Sequence, residues 1–355
     1  MNIIFNPPDN EENQYIHLLV TPLVQAGFKV SPLDDFFSSR QHLLAIRLVH
    51  LNWFENVDDS SLFIALKSFF RKLVVLTAIK ITQKPLVWTM HNRNSHENRL
   101  SFFSRALTYL LMRTSNQIII HSHASLPLLA QHHPKIALKA VYLPHPNFIG
   151  VYGAVLPEKT NITPPVLHLL FIGAIKPYKN MELLIQIAKK YPEKLRLTIA
   201  GKPATETYKK QLEALLANTD NIRTHLRFIH DSELPSLLQD ADALVLPYDI
   251  KSSLNSGTAI LGFSYKRTVI CPNIGTITDL QEAQEYVLSY TYETPEQHAF
   301  QLEAKIQEAI HLKANYTDIF REWGNKMFHY VKEKHANDKI GTKLLAVYST
   351  LLKQD

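Results

Sequence analysis

Three short stretches of this chain carry the side chains best suited to holding negative charge or moving a proton. The first is Phe171-Ile172-Gly173-Ala174-Ile175-Lys176-Pro177-Tyr178-Lys179-Asn180: an apolar run, a glycine, two lysines, then a helical pattern. Gly173 lets an anion approach the backbone at a strand end. Lys179 stands just ahead of a helix N-terminus, where its ammonium and the first-turn N–H groups stabilise the same negative charge. The stretch is not a P-loop, which requires G-x-x-x-x-G-K-[ST]. The second is Leu246-Pro247-Tyr248-Asp249 followed by Leu254-Asn255-Ser256-Gly257-Thr258-Ala259-Ile260. A helix opening on Asn255, Ser256, Gly257 and Thr258 offers backbone N–H groups and two hydroxyls as a further anion cradle. Two cradles in one half of the chain suit a doubly charged ligand, and a diphosphate fits. The third is Trp88-Thr89-Met90-His91-Asn92-Arg93-Asn94-Ser95-His96-Glu97. His91, at the end of an apolar run, is a candidate general base near neutral pH, with His96 and Glu97 placed to orient it. Plainer readings stand beside each: a surface lysine at a turn, an N-cap worth about 1 kcal/mol, and an interior histidine with satisfied hydrogen bonds.

The elements that must position these residues alternate along the chain. Apolar runs of strand length fall at Asn2–Phe5, Phe28–Val30, Leu48–Trp53, Pro85–Met90, Gln117–His121 and Ala140–Leu143, with helical patterns such as Glu12–Gln25 between several of them. Residues 150–165 interrupt the alternation with Gly150, Gly153, Pro157, Pro164 and Pro165, and read as a linker. Strands are then expected at Val166–Ile172, Leu195–Ala200, Leu226–Phe228, Ala243–Leu246 and Val269–Cys271. Helices are expected at Met181–Lys190, Thr207–Leu216, Glu233–Asp240, Ser256–Tyr265 and Pro295–Leu312. The last stretch, Tyr316–Leu352, reads as helical with breaks near Asn337 and Gly341. This pattern predicts an α/β protein of two doubly wound parallel-sheet halves. Ligands of such sheets sit at the carboxyl ends of strands, which is where all three stretches lie.

Composition narrows the function classes. Of 355 residues, 46% are hydrophobic and 20% charged, a globular balance that excludes disorder. The single cysteine, Cys271, excludes a disulfide framework and reads as a buried inert thiol. No signal peptide is visible at Met1–Asn13, and the aliphatic run Leu73–Ile79 is far short of a bilayer span, so a cytoplasmic address is expected. The net charge of +6 is unevenly spread: residues 62–150 hold 11 Lys/Arg against one acid, Glu97. In 62–80 and 99–113 these cations mix with Phe63, Phe69, Phe70, Phe102 and Phe103, as in helices that lie on an anionic membrane surface. No nucleic-acid recognition motif accompanies them. The histidines, His121, His123, His132 and His133 among them, lack acidic or Cys partners nearby, and no metal is expected. Asp240-Ala241-Asp242 precedes a strand instead of following one, unlike a metal-binding D-x-D.

Together these motifs resemble a GT-B glycosyltransferase, close to the family 4 enzymes of bacterial surface-polysaccharide synthesis. Phe171–Asn180 is similar to that family's glycine-then-lysine donor-phosphate motif. Leu246–Ala259 resembles its second donor loop, in the version reading N-S-G, and Val87–Glu97 resembles a "T-x-H-N … H-E" segment of polysaccharide-cluster members. Val49–Trp53 is similar to the strand that precedes that segment. The resemblance implies two Rossmann-like domains facing across a cleft. The expected division is an acceptor-binding domain at 1–150, a linker at 151–165, a nucleotide-sugar domain at 166–335, and a helix at 336–355 crossing back to the first domain. It implies that Gly173, Lys176, Lys179, Tyr248, Asn255, Ser256, Gly257 and Thr258 bind the donor. His91 and Glu97 would be catalytic, and Asn92, Arg93 and His96 would face the acceptor. Three positions depart from the family: Ala174 stands where it usually has Arg, and Leu254 and Gly262 stand where its E-x7-E glutamates belong.

The expectation is therefore a metal-independent glycosyltransferase without a bound cofactor. It would move a sugar from a nucleoside diphosphate to a glycan acceptor, often polyprenol-linked, with no nucleic-acid partner. It would be cytoplasmic, or peripheral on the inner face of the plasma membrane. Retention and inversion both stay open at this point. So do two rivals: an epimerase or hydrolase acting on the nucleotide sugar, and a non-catalytic partner of another transferase.

Overall fold

Among the described residues, twelve strands pair into two six-stranded sheets, parallel throughout. The computed structural model describes residues 1–10, 13–58, 61–93, 101–157, 166–217 and 219–353. The first sheet holds β1 (Asn2–Asn6), β2 (Lys29–Ser31), β3 (Ile46–Asn52), β4 (Leu86–Met90), β5 (Gln117–Ile120) and β6 (Ala140–Tyr142), in the order β2-β1-β3-β4-β5-β6. The second holds β7 (Leu167–Ile172), β8 (Leu195–Ala200), β9 (Ile222–His225), β10 (Ala243–Val245), β11 (Thr268–Pro272) and β12 (Leu288–Tyr290), in the order β12-β11-β10-β7-β8-β9. In each sheet the chain winds one way and then returns to wind the other. The reversals fall between β1 and β3 and between β7 and β10.

Two units contain these sheets: Met1–Pro146 with His335–Asp355, and Asn147–Lys334. Residues just after Pro146 are tied into the second unit, where Phe148 N–H donates to Ser264 Oγ (2.9 Å) and Tyr265 Oη donates to the Gly153 carbonyl (3.0 Å). In the first unit, Ile3, Phe5, Leu48, Val87 and Ile119 face one layer of helices. That layer contains Tyr15–Gln25, contributing Ile16, Leu19 and Leu23, and Asn337–Leu352, contributing Ile340, Leu344 and Tyr348.

Two expectations are corrected, and one strand was not expected at all. The strand placed at Leu226–Phe228 lies at Ile222–His225. β9 is an edge strand reading Ile-Arg-Thr-His, so its exposed face carries the polar residues that hide it from an apolar count. β12, at the opposite edge, gave no sequence signal. The helix expected to break at Gly341 runs through it, from Asn337 to Leu352. Gly341 is there for contact: a Cβ would stand 2.8 Å from both Cβ and Cγ of Pro22 on the facing helix. Gly341→Leu should lower stability by about 1–3 kcal/mol by forcing these helices apart. Thermal unfolding checks this, and an unchanged midpoint would contradict the packing.

Candidate functional site

The second unit gathers its sequence-predicted residues at the β7/β10 reversal. Gly173 follows β7 with φ +123°, a left-handed conformation, and a Cβ there would lie 3.5 Å from Lys179 Nζ and 3.6 Å from Thr258 Oγ1. The glycine therefore leaves open the point on which the ammonium and the hydroxyl converge. Lys179 is 8% exposed, with Nζ 5.5 Å from the Phe171 ring centre and 5.6 Å from that of Tyr248. Aromatic faces on two sides hold the cation in place.

Hydrogen bonds fix the two loops to each other. Asn180 adopts φ +52°, which asparagine tolerates. Its side chain does not cap the helix Met181–Lys189 that follows. Instead Nδ2 donates to the carbonyls of Tyr178 (3.2 Å) and Pro247 (2.8 Å), and Asp249 N–H donates to Tyr178 O (3.0 Å). Ser256 caps the helix Gly257–Ser264: its Oγ accepts from Ala259 N–H (3.0 Å) and lies 3.2 Å from Tyr248 Oη. Ser256 N–H donates to Thr276 Oγ1 (2.9 Å). This assigns Ser256 to capping and leaves the N–H groups of Gly257 and Thr258 as the first-turn donors. Burial pushes the Tyr248 hydroxyl up to about 12, so it stays protonated. Lys176 and Asn255 are half-buried beside these loops.

In the first unit, His91 leaves the carboxyl end of β4 and is 9% exposed. Its Nε2–H donates to Asn52 Oδ1 (3.1 Å), an amide whose Nδ2 donates to Asn6 O (3.5 Å). That orientation puts the imidazole's lone pair on Nδ1. Trp53, at φ +50°, stacks on His91 (centroids 4.2 Å, 18°), and Tyr15 meets it edge-on (5.3 Å, 79°). His121 and His145 complete the group around Tyr15, at 5.4 Å and 5.0 Å. Sequence reasoning missed Asn52, Trp53, Tyr15 and His145, and weighed His121 only as a metal ligand. The usable signal was their common place at or just after strand ends facing one layer. Asn92 is half-buried and Arg93 exposed; His96 and Glu97 lie outside the described residues. Among the described residues no group of three or more His, Cys, Asp and Glu is arranged to hold a metal ion.

Residues 155–252 match the family described as "Glycosyl transferases group 1". The GDP-mannose:glycolipid 4-beta-D-mannosyltransferase of Xanthomonas campestris pv. campestris is 28% identical over 269 residues, covering 75% of this chain and 71% of that relative. The chain is a nucleotide-sugar glycosyltransferase. Its fold is GT-B. Anabaena HepE in complex with UDP and glucose aligns with a TM-score of 0.70 at 15% identity, over 99% of this chain and 100% of that one. The sucrose-phosphate synthase of Thermosynechococcus elongatus aligns at 0.72 and 14% identity over 100% of both chains.

The transferase lacks carboxylates where the family's glutamate pair is expected. Leu254 is 1% exposed, and a Cβ on Gly262 would already meet Leu244 Cδ2 at 3.1 Å. A cavity of about 960 Å³ in the second unit lies at the other end of the sheet, lined by His168, Arg196, Asp220, Arg223 and Asp242, away from Gly173 and Lys179.

Burial lowers the pKa of His50 and His145 from 6.5 to about 3, that of His121 to about 4, and that of His91 well below 6.5. These rings stay neutral in the fold but bind protons in the unfolded chain. Their contribution to stability is thus complete above about pH 6.5 and is lost as pH falls towards the folded values. Chemical-denaturation midpoints should hold steady above about pH 7 and drop between about pH 6.5 and 5, above the range of ordinary carboxylates. A midpoint flat across that window would contradict the burial of these rings.

Proposed function

We propose that this enzyme transfers mannose from GDP-mannose to a glycolipid acceptor with inversion at the anomeric carbon. The observation that carries the reading is the convergence of Lys179 Nζ and Thr258 Oγ1 on the opening left by Gly173. The Xanthomonas relative supplies the sugar and acceptor classes. In this reading the diphosphate leaves against Lys179, Thr258 and the N–H groups of Gly257 and Thr258. Preorganised donors of this kind stabilise charge as it develops on a leaving group. Lys176 and Asn255 flank the same ligand, and Tyr248 braces the lysine.

GDP-mannose is an α-glycoside, so a β-linked product requires inversion and a base for the acceptor hydroxyl. His91 Nδ1 is our candidate. Its burial keeps it unprotonated at neutral pH, and the Asn52 hydrogen bond fixes its tautomer. Asn92 and Arg93 are the neighbouring acceptor contacts. The absence of glutamates at 254 and 262 agrees with inversion, because the retaining enzymes of the family use that pair.

The test is release of GDP from GDP-mannose with a short-chain polyprenyl-diphosphate-linked disaccharide as acceptor. Lys179→Ala should cost about 10²–10³-fold in kcat/KM. His91→Ala should abolish transfer while GDP still raises the melting point. Donor turnover that ignores the acceptor would indicate a hydrolase or epimerase. GDP binding with no turnover at all would indicate a non-catalytic partner.

The first unit also supports a peripheral membrane role. The helix Leu62–Ile81 exposes Phe63 (77%), Phe70 (59%) and Val74 (60%). Its neighbour Ser101–Thr114 exposes Phe102 (68%), and the two helices meet through Phe69 and Phe103, 5.1 Å apart. The same two helices expose Lys67, Arg71 (paired with Asp34), Arg105 and Arg113, a basic character that suits an anionic lipid surface. Among the described residues no helix is long and apolar enough to cross a membrane. Vesicles containing phosphatidylglycerol should retain the protein at low salt and release it at high salt. Equal retention at both would remove the electrostatic role.

A further inference from the structure

In the first unit, the turn that follows β3 holds its first residue against its own preference. Trp53 adopts φ +50°, in the left-handed region that bulky side chains avoid. In that conformation its indole lies nearly flat on the His91 ring, with centroids 4.2 Å apart and planes at 18°. A strained residue of this kind persists only where its surroundings over-determine it. Here the next three residues are tied down at several points. Asn56 N–H donates to the Trp53 carbonyl (3.1 Å) and closes the turn. Trp88 Nε1–H, on β4, donates to Glu55 Oε2 (3.1 Å). Phe54 and Glu55 are both buried.

Two further ties come from one side chain on another element. Lys72 lies midway along the helix Leu62–Ile81. Its Nζ donates to the Phe54 carbonyl (2.9 Å) and to the Asn56 carbonyl, and stands 5.1 Å from the centre of the Phe54 ring. The two carbonyls that flank Glu55 thus share one ammonium. Burial lowers the Lys72 pKa from 10.5 to about 8, so near neutral pH it keeps its charge and its donors. The hydrogen bond from His91 Nε2 to Asn52 selects the tautomer but leaves the ring free to swing about that bond. The stacked indole sets the plane of the ring, and with it the direction of the Nδ1 lone pair. Relaxation of Trp53 to a negative φ would carry the indole off the imidazole.

We propose that Lys72 is a positioning residue for sugar transfer: by holding the carbonyls of Phe54 and Asn56 it keeps Trp53 in its left-handed conformation, flat against His91. The proposal rests on His91 as the base. It goes further by giving a lysine on a surface helix, in no contact with the imidazole, a part in orienting that base.

Lys72→Met tests it, because the ammonium goes and the apolar stem beside Phe54 stays. It should lower kcat for GDP-mannose transfer about threefold to tenfold, the scale of a lost hydrogen bond. KM for GDP-mannose should stay unchanged, and Lys72→Arg, which keeps donors for both carbonyls, should recover most of the loss. Adding Lys72→Met to Trp53→Ala should cost nothing more, because the lysine acts through the indole. The imidazole C–H resonances of His91, identified by their loss in His91→Ala, should lie upfield under the ring current of Trp53. They should move downfield in Lys72→Met and in Trp53→Ala. A folded Lys72→Met with unchanged kcat, unmoved His91 resonances, or a loss additive with that of Trp53→Ala would overturn the proposal. If Lys72→Met does not fold, Lys72→Gln, with a donor on a shorter stem, carries the same readings. Transfer that survives in His91→Ala removes the base and the proposal with it. If the unsubstituted protein transfers no mannose, the donor reading falls; the resonances still decide whether Lys72 holds the stack, and their staying in place in Lys72→Met overturns it.

Discussion

The donor-side edge depends on two backbones lying closer than side chains allow. A Cβ on Gly201 would stand 1.9 Å from the Gly173 carbonyl oxygen, and Gly201 itself holds φ +155°. Gly173 N–H donates to Ala200 O (3.0 Å), carrying the β7–β8 pairing one residue past the strand. Only with both glycines in place does the turn after β7 sit tightly enough for Lys179 to fold back over the Phe171 ring. The buried cation follows from that approach. Its burial is tolerable because aromatic faces and neighbouring dipoles replace part of the water it has lost.

The same logic of strand ends governs the first unit, with different chemistry. On the face towards Tyr15–Gln25 and Asn337–Leu352, the strands begin apolar, with Leu48, Val87 and Ile119, and finish polar, with His50, Asn52, Thr89, His91 and His121. A half-polar layer costs free energy unless each group finds a partner. Here the partners are mostly one another. The fold thereby holds neutral imidazoles at fixed angles, without the positive charge that would disable a base.

Much of this was legible in the sequence, for identifiable reasons. Strong apolar runs marked the central strands, because both faces of a parallel sheet are buried. Edge strands such as β9 and β12 were displaced or missed because half of each faces away from the core. The Gly173, Lys179 and Thr258 grouping could be read because its members flank strand ends in register with the winding of the chain. The rings around His91 could not. Tyr15, Asn52 and His145 are scattered over more than a hundred residues, and only the sheet order brings β1, β3, β4 and β5 side by side. Gly341 misled for a related reason: a glycine that admits a neighbouring helix looks, in sequence, like one that ends its own.

The departures at 254 and 262 bear on mechanism more than the matches do. Leu254 is packed away from solvent, and Gly262 has Leu244 against it, so neither site has room for a carboxylate without displacing the core. A transferase without that pair must manage the two developing charges by other means. On the proposed reading, the leaving diphosphate would meet Lys179 and a helix terminus. The acceptor proton needs a neutral base, and among the described residues the first unit offers His91 with its tautomer fixed by Asn52 and its flanks held by Trp53 and Tyr15. On the inverting reading proposed here, losing the glutamates and keeping a neutral imidazole at a strand end answer one requirement, that the hydroxyl be deprotonated by the protein instead of by the departing phosphate.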